Sequence, residues 1–146
     1  MIRRGIMRGH LFAIAATIAI ALPASPAFAQ NDAETVTVTL QGPGGHSNGS
    51  YGRTSAVHAA ARAIVKMTED MDPSSYSVSG FGGGNSVNSI ASDARFQVRL
   101  RGDIAAGKAG VEAAVKAGVD AENGFRGVKS GALVGGVPAT ISYRIE

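Results

Sequence analysis

Thr35-Val36-Thr37-Val38-Thr39-Leu40 alternates hydroxyl and apolar side chains without a break, which places Val36, Val38 and Leu40 on one face of an extended chain. The expectation is a half-buried strand. Residues 95–101 repeat the pattern, with Phe96, Val98 and Leu100 opposed to Arg95, Gln97, Arg99 and Arg101. Near the end Ile141, Tyr143 and Ile145 alternate with Thr140, Ser142 and Arg144, and residues 76–81 alternate less cleanly. Four strands with one wet face each predict an antiparallel sheet, because strands buried on both faces of a parallel sheet read as continuous apolar runs.

Between the first two strands, Val57, Ala60, Ala61, Ile64, Val65 and Met71 recur at helical spacing, with Thr54 or Ser55 available as N-cap, and predict a helix over residues 55–70. Asp72-Pro73-Ser74-Ser75 stops it, since proline cannot continue the ladder. A second helix is predicted over residues 105–122, where Val111, Ala114, Val115, Gly118 and Val119 share a face. Gly107, Gly110 and Gly118 each cost it about 1 kcal/mol relative to alanine, so tertiary packing has to hold it. The order strand, helix, strand, strand, helix, strand predicts an α+β, ferredoxin-like βαββαβ sandwich: a four-stranded antiparallel sheet with two helices on one face. Glycine-rich loops fall at residues 42–52, 80–84 and 131–136.

Working outward to the N-terminus, residues 1–29 have a basic head with Arg3, Arg4 and Arg8, a 12-residue apolar run from Leu11 to Leu22, and the ending Ala27-Phe28-Ala29. This pattern predicts a secretory signal peptide, because the run is well short of the roughly 20 residues that span a bilayer. Arg3-Arg4-Gly5-Ile6-Met7 also fits the core of a twin-arginine signal. The expected mature domain is residues 30–146, periplasmic or secreted, with no membrane association after cleavage. The 146-residue chain carries a net charge of +3, but three of its 14 basic side chains lie in the leader. Residues 30–146 hold 11 basic and 11 acidic side chains, an even balance that argues against a nucleic-acid partner. There are no cysteines, so neither disulfides nor thiolate metal sites can form.

The predicted mature domain has two histidines, His46 and His58, and no H-E-x-x-H helix. His58 lies beside the apolar stripe of the first helix, four residues before Arg62, and reads as a structural or surface histidine. His46 follows a strand within Gly42-Pro43-Gly44-Gly45-His46-Ser47, where the glycines leave its ring room to project toward a ligand. His46 and Ser47 are a poor basis for a hydrolytic triad, since sequence neighbours rarely face each other as base and nucleophile must. Gly80-Phe81-Gly82-Gly83-Gly84-Asn85 leads into a strand rather than a helix, which favours a turn over a phosphate cradle. Asn48-Gly49-Ser50 matches a glycosylation acceptor, a pattern short enough to arise by chance.

The block Gly42-Pro43-Gly44-Gly45-His46-Ser47 with its following helix resembles the dimerisation, or lid, domain of the dizinc aminoacylase, glutamate carboxypeptidase and tripeptidase family. Gly82-Gly83-Gly84-Asn85-Ser86-Val87-Asn88-Ser89-Ile90-Ala91 and the strand after it form the more specific match, and Ala121-Glu122-Asn123-Gly124-Phe125-Arg126 a looser one. The resemblance covers residues 36–146 and implies the fold derived above. It also implies that His46 is the lid histidine that reaches a partner subunit's active site, and that Asn88 is the substrate-binding asparagine beside it. Two such donors aimed at a developing oxyanion would supply electrostatic stabilisation. Ala91 departs from the family, which often has proline there.

In that family the lid is inserted into a catalytic domain carrying two zinc ions, for which residues 30–146 leave no room. The expectation is therefore an exported, non-catalytic interaction domain, not an enzyme on its own, that forms a homodimer. The alternatives are a fragment or split subunit that lends His46 and Asn88 to a separately encoded zinc peptidase or amidohydrolase, and a small peptide or acyl amino acid binder. No cofactor is expected, and zinc only in a separate catalytic partner.

Overall fold

The computed structural model describes residues 33–146; the proposed leader at residues 1–29 lies outside them. The described chain runs β1 (Ala33–Gln41), β2 (Gly45–His46), α1 (Ala56–Asp70), β3 (Tyr76–Gly83), β4 (Ser89–Ile90), β5 (Asp93–Arg101), α2 (Ile104–Phe125), β6 (Leu133–Val134), β7 (Val137–Pro138) and β8 (Ser142–Ile145). Four of the strands form one antiparallel sheet in the order β3-β5-β1-β8. This is the ferredoxin-like arrangement that the alternation predicts.

Register follows the apolar face. Val38 lies opposite Phe96 on one side and Ile145 on the other, and Val98 lies between Val36 and Val78. A slip of one residue would turn Phe96 and Leu100 to water and bury arginines, so the pairing is strongly specified. Val38, Leu40, Phe96, Val98 and Leu100 are fully buried beneath the helices.

The helix over residues 55–70 forms as α1, with Ser55 as the N-cap that accepts from the His58 backbone N–H at 3.4 Å. Its buried face differs from the expected one. Ala56, Ala59, Ala60, Ala63 and Met67 are buried, whereas Ala61 and Val65 are exposed and Val57, Ile64 and Met71 only flank the core. Side-chain size explains the shift: α1 lies so close to α2 that alanines fit the contact, and the branched residues move to its margins. The helix ends at Asp70 with Met71 as its C-cap, and the Asp72 carboxylate that follows accepts the backbone N–H and the hydroxyl of Ser74, each at 2.8 Å. Those two bonds, the backbone one first, hold the Asp72 carboxyl below its ordinary range.

In α2 the expected residues Val111, Ala114, Val115, Gly118 and Val119 are buried, and Glu122 joins them. Asp103 caps its start by accepting from the Ala106 N–H at 3.0 Å. The helix continues to Phe125, beyond the expected end. Its glycines are explained by their neighbours. A β-carbon at Gly118 would lie 2.5 Å from the Ala63 backbone nitrogen, and one at Gly107 would lie 3.1 Å from the Leu100 side chain.

Two strand expectations shift. Ile141 is buried but sits outside the ladder, its N–H held by Asn123 Oδ1 at 2.9 Å, so β8 begins at Ser142. β3 continues to Gly83 with a register shift between Ser79 and Gly82, where Gly80 has a φ of 61°. The small β2–β4 and β6–β7 pairs come from loops in which no strand was expected.

Candidate functional site

The chain leaving β1 is folded back by glycine. Gly44 and Gly45 have φ values of 59° and 142°, conformations that L side chains rarely adopt, and a β-carbon at Gly44 would lie 2.6 Å from that of Ser92. Gly42 N–H donates to Ser92 O at 2.8 Å, which anchors this turn to the start of β5. β2 then pairs with β4, Gly45 opposite Ile90 and His46 opposite Ser89, and Ser47 N–H donates to Asn88 O at 2.8 Å. The backbone around Asn88 is thus pinned with alanine at position 91, where Ala91 is buried and its carbonyl accepts from the Ala56 N–H at 2.9 Å.

These pairings bring His46 and Asn88, 42 residues apart, into contact: Asn88 Nδ2 lies 3.0 Å from His46 Nε2. Both residues are exposed, at an open depression of about 250 Å³ that Gly45, Asn85, Ser86 and Ser92 also line. Asn48 N–H donates to His46 Nδ1 at 3.2 Å, so in the neutral ring the proton belongs on Nε2. Full satisfaction then has the Asn88 carboxamide present its oxygen to Nε2–H and its nitrogen to the Ser86 hydroxyl, which lies 2.9 Å from Asn88 Oδ1 and can either donate or accept. A neutral His46 therefore donates its Nε2–H to Asn88 at the rim of the depression.

The surroundings do not fit zinc. Among the described residues no three His, Asp or Glu side chains gather closely enough to hold a metal ion, and His46 is flanked by amides and hydroxyls rather than by a second imidazole or a carboxylate. Nor does any helix of the described residues have the length and apolarity to cross a membrane.

His58 stands apart from this pair. Its side chain is 57% exposed, with Nδ1 3.4 Å from Arg126 Nη2 and 3.8 Å from Glu122 Oε1. Glu122 is the residue that sequence reasoning missed. It is fully buried, and its carboxylate accepts from Ser55 N–H at 3.1 Å, Arg62 Nε at 3.2 Å and Arg126 Nε at 3.2 Å. Both arginines also stack on the Phe125 ring, each 5.0 Å from its centroid. The signal was present: Glu122 continues the stripe of Gly118 and Val119 at helical spacing, and a carboxylate on a buried stripe has to be paired.

A family model described as the peptidase dimerisation domain matches residues 29–125. No curated protein matches the chain. Among solved structures, the chain is similar to an aminobenzoyl-glutamate utilization protein from Klebsiella pneumoniae, with 19% identity and a TM-score of 0.52 over 77% of this chain and 27% of that one. It is also similar to the aminopeptidase PepT from Bacillus cereus, with 18% identity and a TM-score of 0.52 over 78% of this chain and 28% of that one. A hydantoinase/carbamoylase family amidase from Burkholderia ambifaria has 20% identity and a TM-score of 0.52 over 78% and 26%. At such identities the likeness is one of fold, and the chain spans little more than a quarter of the length of these proteins.

Proposed function

Since this chain belongs to the peptidase dimerisation domain family, we propose that it acts as an exported, non-catalytic self-association module. The carrying observation is the edge of the sheet. β3 closes one side with eight residues whose outer backbone groups have no strand partner among the described residues, while β8 closes the other with four. A row of unpaired donors and acceptors invites a second copy, and two copies joined edge to edge would share one continuous sheet. The register shift between Ser79 and Gly82 makes residues 76–79 the longest regular stretch of this edge. The basic head and 12-residue apolar run of residues 1–29 support export to the periplasm or beyond. Light scattering coupled to size exclusion is expected to report twice the chain mass at high micromolar concentration. A strictly monomeric species there would overturn the reading.

A second reading is favoured by the contact of His46 with Asn88. A lid that supplies a substrate-facing pair needs those side chains together and exposed, as they are at 3.0 Å. In this reading the chain is a fragment or split subunit that lends both residues to a separately encoded zinc peptidase or amidohydrolase. His46→Ala is then expected to lower hydrolysis by the reconstituted pair by about 10²–10³-fold while leaving self-association intact, the cost of losing one donor to a developing oxyanion. Retained hydrolysis would remove His46 from the chemistry.

A further inference from the structure

The face of the sheet opposite the helices carries more positive than negative charge, its acids being Asp93 at the start of β5 and Glu146 beside Arg144. β5 presents Arg95, Gln97, Arg99 and Arg101 there, all exposed, with Arg144 of β8 two strands away. The rows between them are polar: Thr39 lies between Arg95 and Arg144, Ser77 and Thr35 flank Arg99, and Ser79 and Thr37 flank Gln97. On the helix side five acids are matched locally. Glu34 pairs with Lys108, Glu69 and Asp70 with Lys66, Asp120 with Lys116, and Glu122 with Arg62 and Arg126. Among the described residues, Arg95, Arg99 and Arg101 have no such carboxylate partner, and Arg101 donates instead to the Ser77 hydroxyl at 3.1 Å. Arg144 is paired with Glu146 at 3.0 Å. The even charge count of residues 30–146 therefore hides three arginines without carboxylate partners on the open face.

Arg95, Arg99 and Arg101 stand on one strand face without carboxylate partners, and an anion bound there would relieve their mutual repulsion. We propose that the open sheet face is a docking surface for a single-stranded phosphodiester chain laid along β5. Alternate strand residues stand about 7 Å apart, an interval that a stretched phosphodiester chain can follow. Arginine forks bind phosphate oxygens in pairs, and the threonine and serine hydroxyls add donors between them. A flat lipid surface fits less well, because a sheet turns by roughly 20–25° from strand to strand and meets a plane only along a diagonal, whereas a flexible strand follows β5. A duplex would require an element that enters a groove, and this face projects none. With no aromatic side chain on β5 outside the buried Phe96, binding rests on phosphate contacts and is salt-sensitive.

Fluorescence anisotropy of a labelled 20-mer of oligo(dT) with the full chain, titrated from about 50 to 200 mM salt, tests this. Removing two contacts with Arg95→Gln/Arg99→Gln is expected to flatten the log–log salt slope by about 1.4 and to weaken binding roughly 25-fold at 0.1 M salt. Arg95→Lys/Arg99→Lys should keep most of the slope, which guards against a folding artefact. Lys108→Gln/Lys116→Gln removes the same charge from the helix side and should change little. An equal loss in the Gln pairs from both faces, or no loss in the arginine pair, overturns the proposal. So does binding of anionic vesicles or heparin under conditions where oligo(dT) stays free.

Discussion

Glu122→Ala is expected to cost about 3 kcal/mol of folding stability, a large share of the 5–15 kcal/mol that a domain has. The substitution leaves the Ser55 N–H buried without an acceptor and removes the carboxylate that Arg62 and Arg126 share. The figure sits at the low end for breaking a buried ion pair because Arg62 is 39% exposed and Arg126 19%, so both retain a path to water. Ser55 also caps α1, so the loss spreads from the α1–α2 contact to the start of the helix. Glu122→Gln keeps an oxygen for Ser55 while losing the charge, and about half the penalty is expected. Urea unfolding followed by circular dichroism measures both; a midpoint for Glu122→Ala within 1 kcal/mol of the parent would refute the anchoring role.

Gly118→Ala is expected to destabilise the fold by about 2 kcal/mol, although alanine favours a helix by about 1 kcal/mol over glycine. The new β-carbon would stand 2.5 Å from the Ala63 nitrogen, 2.7 Å from the Ala63 Cα and 2.8 Å from the Ala59 carbonyl oxygen. Backbone cannot swing aside as a side chain does, so the helices must part and lose packing along the crossing. Gly110→Ala is the contrasting case. Its β-carbon would meet only the Met71 side chain at 3.2–3.3 Å, and a flexible thioether can give way. That variant is expected to be neutral or more stable by up to about 1 kcal/mol. If thermal melts place the two variants on the same side of the parent, close helix approach is not what selects glycine at 118.

The two predictions concern residues that were legible to different degrees. Gly118 stood on the stripe read for α2, but only the neighbouring backbone shows why glycine is there. The α1 face was misread because hydrophobicity ranks Val65 above Ala59, whereas the space between the helices ranks them the other way. At the candidate site, glycine spacing and family resemblance singled out His46 and Asn88. Their 3.0 Å contact required the β2–β4 pairing.

By itself the sequence determined the four strands, the two helices and the face each strand buries, since period-two and helical patterning are local properties of the chain. Their order then leaves few ways to cover one apolar sheet face with two helices. The tertiary structure alone decided the depth of helix contact, the anchoring of Glu122 and the lack of carboxylate partners for Arg95, Arg99 and Arg101. The physical reason is common to all three. Each depends on distances between residues remote in sequence, which periodicity does not encode and packing does.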